Sequence, residues 1–309
     1  MFKRAALVVF LGLLAAAAAE QWFEARDLRH VEAAGTFARL GASRVRYQLL
    51  GKELAAAPVV FVNGIGGSLE QWDEVQREVA GFAPALAWDR GGAGFSRSAA
   101  HDGIGQAEEL RALLDALHLA RPAVLVGYSS GALVARIFAA RYPERVAGLL
   151  LLEPRVPQIE LRLGWPKATR RFLRPMVRDT LSCFFGVRRL RDAFGDGPRT
   201  PLEQRARAVH ERFWHWWALD RETFLVADTD RQAMAAGMSE RIPLIVLTSE
   251  STGEDSWTEA YQALLRGIAS SSVRGEVRIL PRSAGHEHLL QSPVTRRALV
   301  GAIRELSTR

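Results

Sequence analysis

The sequence predicts an α/β fold: a doubly wound, mostly parallel sheet carrying an inserted helical cap. Three observations predict it. Short, nearly all-apolar runs bounded by turn residues recur along the chain, as strands buried on both faces require. Helical patterns alternate with those runs. A hairpin pattern precedes the first unit, so an antiparallel edge opens the sheet.

The elements follow in order. Lys3 and Arg4 precede an uninterrupted apolar run, Ala5 to Ala19. Fifteen helical residues span roughly 22 Å, short of the roughly 30 Å hydrocarbon core. A basic start, an apolar stretch and a small-residue end read as an export signal. The competitor is an uncleaved anchor, extended to the interface by Gln21, Trp22 and Phe23. Either reading places the remainder outside the cytoplasm. TFARLGASRVRYQLL then reads as a hairpin turning near Gly41-Ala42-Ser43. Strands follow at Val59–Val62, Ala85–Trp88, Ala123–Val126, Ala147–Leu152, Ile242–Leu247 and Val277–Leu280. Helices are expected at Leu69–Val79, Ile104–His118, Gly131–Arg141, Trp257–Ile268 and Val294–Leu306. Residues 156–240 hold no good strand, so they read as a helical insertion over the strands' carboxyl ends. The expected organisation is a leader or anchor over 1–22, a core over 23–155 and 241–309, and a cap over 156–240.

Composition narrows the classes. The 309 residues are 48% hydrophobic, enough for a full core. A single cysteine, Cys183, excludes an internal disulfide. The net charge of +7 suggests attraction to anionic surfaces. No nucleic-acid module is present, so nucleic-acid partners are not expected.

Gly127-Tyr128-Ser129-Ser130-Gly131 fits G-x-S-x-G, after the strand AVLV and before the helix GALVARIFAARY. A sharp strand-to-helix turn holds a nucleophile in a strained conformation at a helix N-terminus. Ser129 is therefore the expected nucleophile. Ser130 would supply the first oxyanion-hole N–H from its backbone. A helix N-cap serine is the bland alternative. The second donor is expected from VVFVNGIGG, with the Ile65 N–H first and those of Gly64 and Gly66 behind it. Neither this loop nor Gly91-Gly92-Ala93-Gly94 fits a nucleotide-binding loop.

The base should be a late histidine, in the order serine, acid, histidine. Of seven histidines, only His286 and His288 lie beyond the last strand. His286 is expected to be the base and His288 to support it. A His-x-His metal pair would lack further ligands of suitable spacing, so no metal or cofactor is expected. His210 and His215 read as residues of the insertion.

The chain resembles the α/β-hydrolase superfamily from about residue 36 to its end. The pieces that carry the resemblance are VVFVNGIGG, AWDRGGAGFS, LVGYSSGALVARIFAARYPERVAGLLLLEP, IPLIVLTSE and SAGHEHLLQSP. It implies that 156–240 is the cap over the active site. In most of the superfamily the acid lies just past the strand that here reads IPLIVLTSEST, where the expected position is Thr252. Glu250, Glu254 and Asp255 are near but out of register. Some branches, such as haloalkane dehalogenases, place the acid after the preceding strand, which here ends at Glu153. Glu153 is the first candidate acid and Glu250 the alternative. A strand-end carboxylate paired with Arg155 is the bland reading of Glu153. Dehalogenase and epoxide-hydrolase branches carry aspartate at the elbow, whereas Ser129 implies an acyl-serine.

The implied activity is a cofactor-free, monomeric serine hydrolase acting on a small-molecule ester. The alternatives are a non-catalytic binding protein of the same fold, or the same triad used for acyl transfer, amide or lactone hydrolysis, or haloperoxidase-like chemistry. The basic, apolar stretch from Arg162 to Arg191 reads as a cap with solvated arginines, or as a lid that touches anionic lipid. Phe213 to Trp217 is expected to line an apolar pocket.

Overall fold

The computed structural model describes residues 2–34, 36–99, 101–159, 176–195, 197–198, 200–237, 240–250, 255–281 and 286–308. Helix α1 (Phe2–Ala34) precedes an eight-stranded sheet of order β1-β2-β4-β3-β5-β6-β7-β8. The strands are β1 (Thr36–Leu40), β2 (Ser43–Leu50), β3 (Val59–Val62), β4 (Ala85–Trp88), β5 (Ala123–Tyr128), β6 (Val146–Leu152), β7 (Leu244–Ser249) and β8 (Gly275–Leu280). The β1/β2 and β2/β4 pairs are antiparallel, and every other pair is parallel.

Alternation sorts the core. Val60, Val62, Leu149, Leu151, Leu244 and Val246 face one side of the sheet. There they pack on α3 (Gly103–Ala116), α4 (Gly131–Arg141) and α9 (Asp255–Ala269). Their neighbours Val59, Phe61, Leu150, Leu152, Ile245 and Leu247 face the other side, against α2 (Asp73–Val79) and α10 (Pro293–Ser307). Because both faces are covered, the strands read as continuous apolar runs rather than alternating ones.

Between β6 and β7 the described residues form α5 (176–184), α6 (Val187–Ala193), α7 (Pro201–His210) and α8 (Phe213–Ala235). The insertion is helical, as expected. Helix α8 crosses the sheet's carboxyl edge. At its start, His215 Nδ1 accepts from the Gly94 N–H at 2.9 Å. At its end, Gln232 receives the Ile104 N–H at 3.0 Å and donates to Asp102 at 2.8 Å. Burial drives the His215 imidazole well below its ordinary pKa, so the ring is neutral and free to accept.

The N-terminal helix runs on past the segment expected as leader or anchor. Helix α1 does not stop near residue 22 but continues to Ala34. Its apolar first half is exposed, whereas Glu20, Glu24 and Leu28 are buried. Glu20 pairs with Arg189 at 2.9 Å, and Glu24 accepts from the Phe213 N–H. Leu28 packs with Phe95 and Val209. The first-half sequence signal was hydropathy alone, which cannot see that later turns carry carboxylates matched to cap arginines.

The elbow depends on close backbone approach. A Cβ at Gly131 would lie 2.2 Å from the Val62 carbonyl oxygen and 2.4 Å from that of Asn63. Gly131→Ala is therefore expected to lower stability by about 2–4 kcal/mol, at the upper end of overpacking costs. The measurement is the urea midpoint at constant m value. An unchanged midpoint would mean that α4 can shift away from β3.

Candidate active site

Ser129 and Glu153 are the first residues past two paired strand ends. Tyr128 registers with Leu152 across β5 and β6, so the next residue on each strand emerges at one level. Both leave in left-handed conformations, Ser129 with φ 53° and Glu153 with φ 43°. Non-glycine residues rarely adopt such angles, and they are held here by backbone bonds. The Ser129 N–H donates to the Leu152 carbonyl at 3.0 Å, and its own carbonyl accepts from Arg155 and Ala132 at 3.0 and 3.1 Å. The Glu153 N–H donates to the Leu247 carbonyl at 2.8 Å.

The structure brings the three expected triad residues together. His286 Nε2 lies 3.1 Å from Ser129 Oγ. His286 Nδ1 lies 3.9 Å from Glu153 Oε2, an ion-pair separation rather than a hydrogen bond. The other oxygen, Glu153 Oε1, accepts from the Ser249 N–H and hydroxyl at 2.5 and 2.6 Å, and from the Thr248 hydroxyl at 3.3 Å. Three donors on Oε1 leave Oε2 for the imidazole. Burial pushes the Glu153 carboxyl upward, but His286 and the Ser249 donors outweigh it and hold the group below its ordinary pKa. It is thus a carboxylate at neutral pH. The His286 ring stacks on Tyr128 at 5.0 Å, and the Tyr128 hydroxyl donates to the His286 carbonyl.

Glu250 is not drawn to the ring: it is exposed, and its N–H donates to the Leu280 carbonyl at 2.9 Å. Thr252 and Glu254 lie outside the described residues, as do the side chains of Asp255 and His288. Arg155 forms a two-pronged pair with Asp230, at 3.0 Å for each bond.

The expected oxyanion donors sit at the elbow, with one difference. A Cβ at Gly64 would touch Ser129 Cβ at 3.1 Å, so this loop faces the serine. The Ile65 N–H, however, donates to Ser130 Oγ at 2.8 Å. Ser130 Oγ also lies 3.4 Å from Arg90 Nη2. Sequence pattern located both residues. It could not show that the hydroxyl of one occupies the N–H of the other, because that depends on a rotamer.

Arg90 is a residue that motif reasoning passed over. It is 2% exposed, donates to the Asn63 carbonyl at 2.8 Å, and pairs with Glu222 of α8 at 2.5 Å. Its signal was a buried-strand end followed directly by two charges, Asp89-Arg90. The aromatic run of α8 packs partly within the cap. Phe213 packs on Phe184, Trp216 donates to the His210 carbonyl at 2.7 Å, and Trp214 and Trp217 are half exposed. The α8 residue that meets the Ile65 loop is Leu219, beside Gly66. Among the described residues, no group of three or more His, Cys, Asp or Glu could hold a metal ion.

Asn63 fixes the loop. Its Oδ1 accepts from Gln71 at 2.8 Å and from the Trp72 indole, and its amide donates to the Trp88 carbonyl at 3.0 Å.

Residues 57–213 match the family model described as alpha/beta hydrolase fold. A homoserine O-succinyltransferase from Xanthomonas campestris pv. campestris is 36% identical over 129 residues, 35% of this chain and 33% of that protein. The chain thus spans about a third of the length of the curated relatives it matches. A haloalkane dehalogenase loop variant from Bradyrhizobium elkanii superposes with a TM-score of 0.62 at 20% identity, covering 89% of this chain and 97% of that one. A structure from a study of carboxylesterases of the thaumarchaeon Nitrososphaera gargenis superposes with a TM-score of 0.59 at 15% identity, covering 88% and 99%. At these identities the structural likeness is one of fold.

Asn63→Ala would strand a buried indole N–H and a buried carbonyl. It is expected to cost about 2–4 kcal/mol, read as a lower thermal midpoint. A midpoint equal to the parent's would show that the loop does not depend on this side chain.

Proposed function

The chain belongs to the α/β-hydrolase fold family, and on that premise we propose that it is a serine hydrolase that cleaves carboxylic esters through an acyl-serine intermediate. The observation that carries the reading is the 3.1 Å approach of His286 Nε2 to Ser129 Oγ, at an elbow where serine stands in a left-handed conformation. Family membership alone supports a hydrolase or acyltransferase, and the serine nucleophile narrows that to acyl chemistry.

In the proposed reaction His286 Nε2 takes the Ser129 proton as Oγ attacks the ester carbonyl. The imidazolium then protonates the departing alcohol. Water then attacks the acyl carbon while giving a proton to the same nitrogen, and that proton passes to Ser129 Oγ as the Oγ–C bond breaks and the acid leaves. Glu153 holds the Nδ1–H tautomer and stabilises the imidazolium as Nδ1 closes on Oε2. The Ser130 and Ile65 N–H groups would hold the tetrahedral oxyanion. The second of these must be given up by the Ser130 hydroxyl. The cap meets this machinery through Leu219 and through Glu222 on Arg90. The basic start and exposed apolar half of α1 support export or anchoring, with the catalytic domain outside the cytoplasm.

A second reading is favoured by the named activity of the curated relative, which is acyl transfer. The same acyl-serine would then be taken by an alcohol acceptor instead of water.

A fluorophosphonate should form one adduct, on Ser129, in the folded parent and none in His286→Ala, read by intact mass and peptide mapping. Absence of the adduct in folded parent protein sinks the reading. Glu153→Gln is expected to lower kcat on an activated ester by about 10²–10⁴-fold, because a glutamine cannot balance the imidazolium. Glu250→Gln should stay within about three-fold, since its side chain is not at the ring. The reverse order would move the acid to Glu250.

A further inference from the structure

We propose that the cap is seated on the bilayer that α1 enters, through an apolar rim formed by Val177, Leu181, Val187, Leu190 and Phe194. Its partner is an anionic membrane surface. Ester substrates that partition into lipid then reach Ser129 from the membrane side. This last clause rests on the hydrolase reading, whereas the docking does not.

Among the described residues, nothing buries the first half of α1. Its large apolar residues from Leu7 to Leu14 are between 45% and 70% exposed. The stretch Arg4–Arg29 is long and apolar enough to cross a membrane. Its uncharged part, Ala5 to Ala19, spans roughly 22 Å against a roughly 30 Å core. Such a helix reaches the far side only if the protein at its end settles into the interface.

The end of that apolar run is where the cap attaches. Glu20 is the first carboxylate after it and is 2% exposed. Arg189 of α6 grips Glu20 at 2.9 Å and also holds Asp27 at 2.9 Å and Glu211 at 2.7 Å. One turn further, Glu24 accepts from the Phe213 N–H and lies 3.8 Å from Arg212. These contacts fix the cap at the level where α1 leaves the hydrocarbon. Exposed apolar side chains stand on the same helix as Arg189, on α5 before it and at Phe194 just after it. Val187 and Leu190 flank Arg189 on α6, and Gly186 lies against Glu20. The rim is 42% to 86% exposed, with Phe194 the most open. A cluster of large exposed apolar groups is costly in water and marks an interaction surface.

Charge selects the partner. Residues 176–194 carry four arginines against two aspartates. Arg178 and Arg191 are 74% and 67% exposed, so their guanidinium groups stay open to a facing surface while paired with Asp179 and Asp192. A basic rim around apolar side chains suits anionic headgroups over acyl chains.

The test uses the full chain in vesicles of phosphatidylcholine with phosphatidylglycerol. Bimane is placed by Leu190→Cys, Phe194→Cys and, as a control, Val273→Cys. Val273 is 76% exposed and lies two residues before β8, at the amino end of the strand and outside helices α5 and α6. Cys183 is buried, and burial pushes its thiol up to about 12, so it does not compete for label. A nitroxide on the lipid chains should quench the 190 and 194 probes several-fold more than the 273 probe. Iodide in the water should show the opposite order. Equal quenching at all three sites overturns the docking. Intact mass of the membrane-extracted protein should show α1 retained, and cleavage after residue 19 overturns the anchor. Fluorophosphonate labelling of Ser129 in the same vesicles reports separately on the hydrolase reading.

Discussion

The site depends on one constraint: β5 and β6 run parallel and end in step, and β7 runs parallel beside them for two residues more. Tyr128 pairs with Leu152, and Leu152 with Leu247. Parallel neighbours lie about 4.8 Å apart, so three consecutive tips bring Ser129, Glu153 and Ser249 within side-chain reach without any long loop. The left-handed turn at each of the first two tips completes the placement. It sends Ser129 Oγ out of the sheet toward His286, and sends the Glu153 carboxyl sideways across the tip of β7. A slip of one residue between β5 and β6 would put Leu152 where Glu153 stands. The apolar alternation on both faces of the sheet opposes that slip, because every side chain of β6 would change layers.

Beneath the tips, buried polar groups hold the loops that the strands release. Arg46 pairs with Glu70 at 2.6 Å and with Asp89 at 3.3 Å. Asp89 in turn accepts from the Leu69 and Phe95 N–H groups at 2.9 and 3.0 Å. Burial raises the Asp89 carboxyl to about 6, against the pull of Arg46. Such a network adds little net stability, since desolvation offsets most of the attraction. Its effect is geometric: it ties the loops after β3 and β4 to β2, so the Ile65 N–H and Arg90 hold position under the cap.

Most of this was legible in sequence for identifiable reasons. Val59–Val62, Ala85–Trp88 and Gly131–Arg141 have the same ends in sequence and structure, because turn residues bound them. Ser129 and His286 were legible because an elbow and a late Gly-His each need a local pattern. Glu153 was legible as a strand-tip carboxylate and was placed ahead of Glu250, and the lateral register of β6 on β7 accounts for its seat beside His286. The length of α1 was not legible. Past Ala19 its hydropathy falls, and what holds it helical is pairing of Glu20 and Glu24 with residues more than 160 positions away. Arg90 was missed because its partners, Asn63, Glu222 and Ser130, come from three separate segments.

The Ile65 N–H would be shared between a resting contact and the proposed catalytic one. In the resting site its acceptor is the neutral Ser130 hydroxyl, a bond worth about 1 kcal/mol net. In the proposed reaction the competitor is a full negative charge. Charge-assisted bonds are roughly twice as strong, and a single oxyanion donor contributes about 3–4 kcal/mol to the transition state. The oxyanion therefore displaces the hydroxyl. Ser130 Oγ does not lose all polar contact when it leaves, because Arg90 Nη2 already lies 3.4 Å away and can donate to it. The Ser130 backbone N–H is untouched by this exchange, being set by the turn rather than by a rotamer. In the proposed reaction one donor would thus be fixed, and the other released only as charge develops to claim it. The pairing of Arg90 with Glu222 links the Ser130 hydroxyl to α8 through one guanidinium.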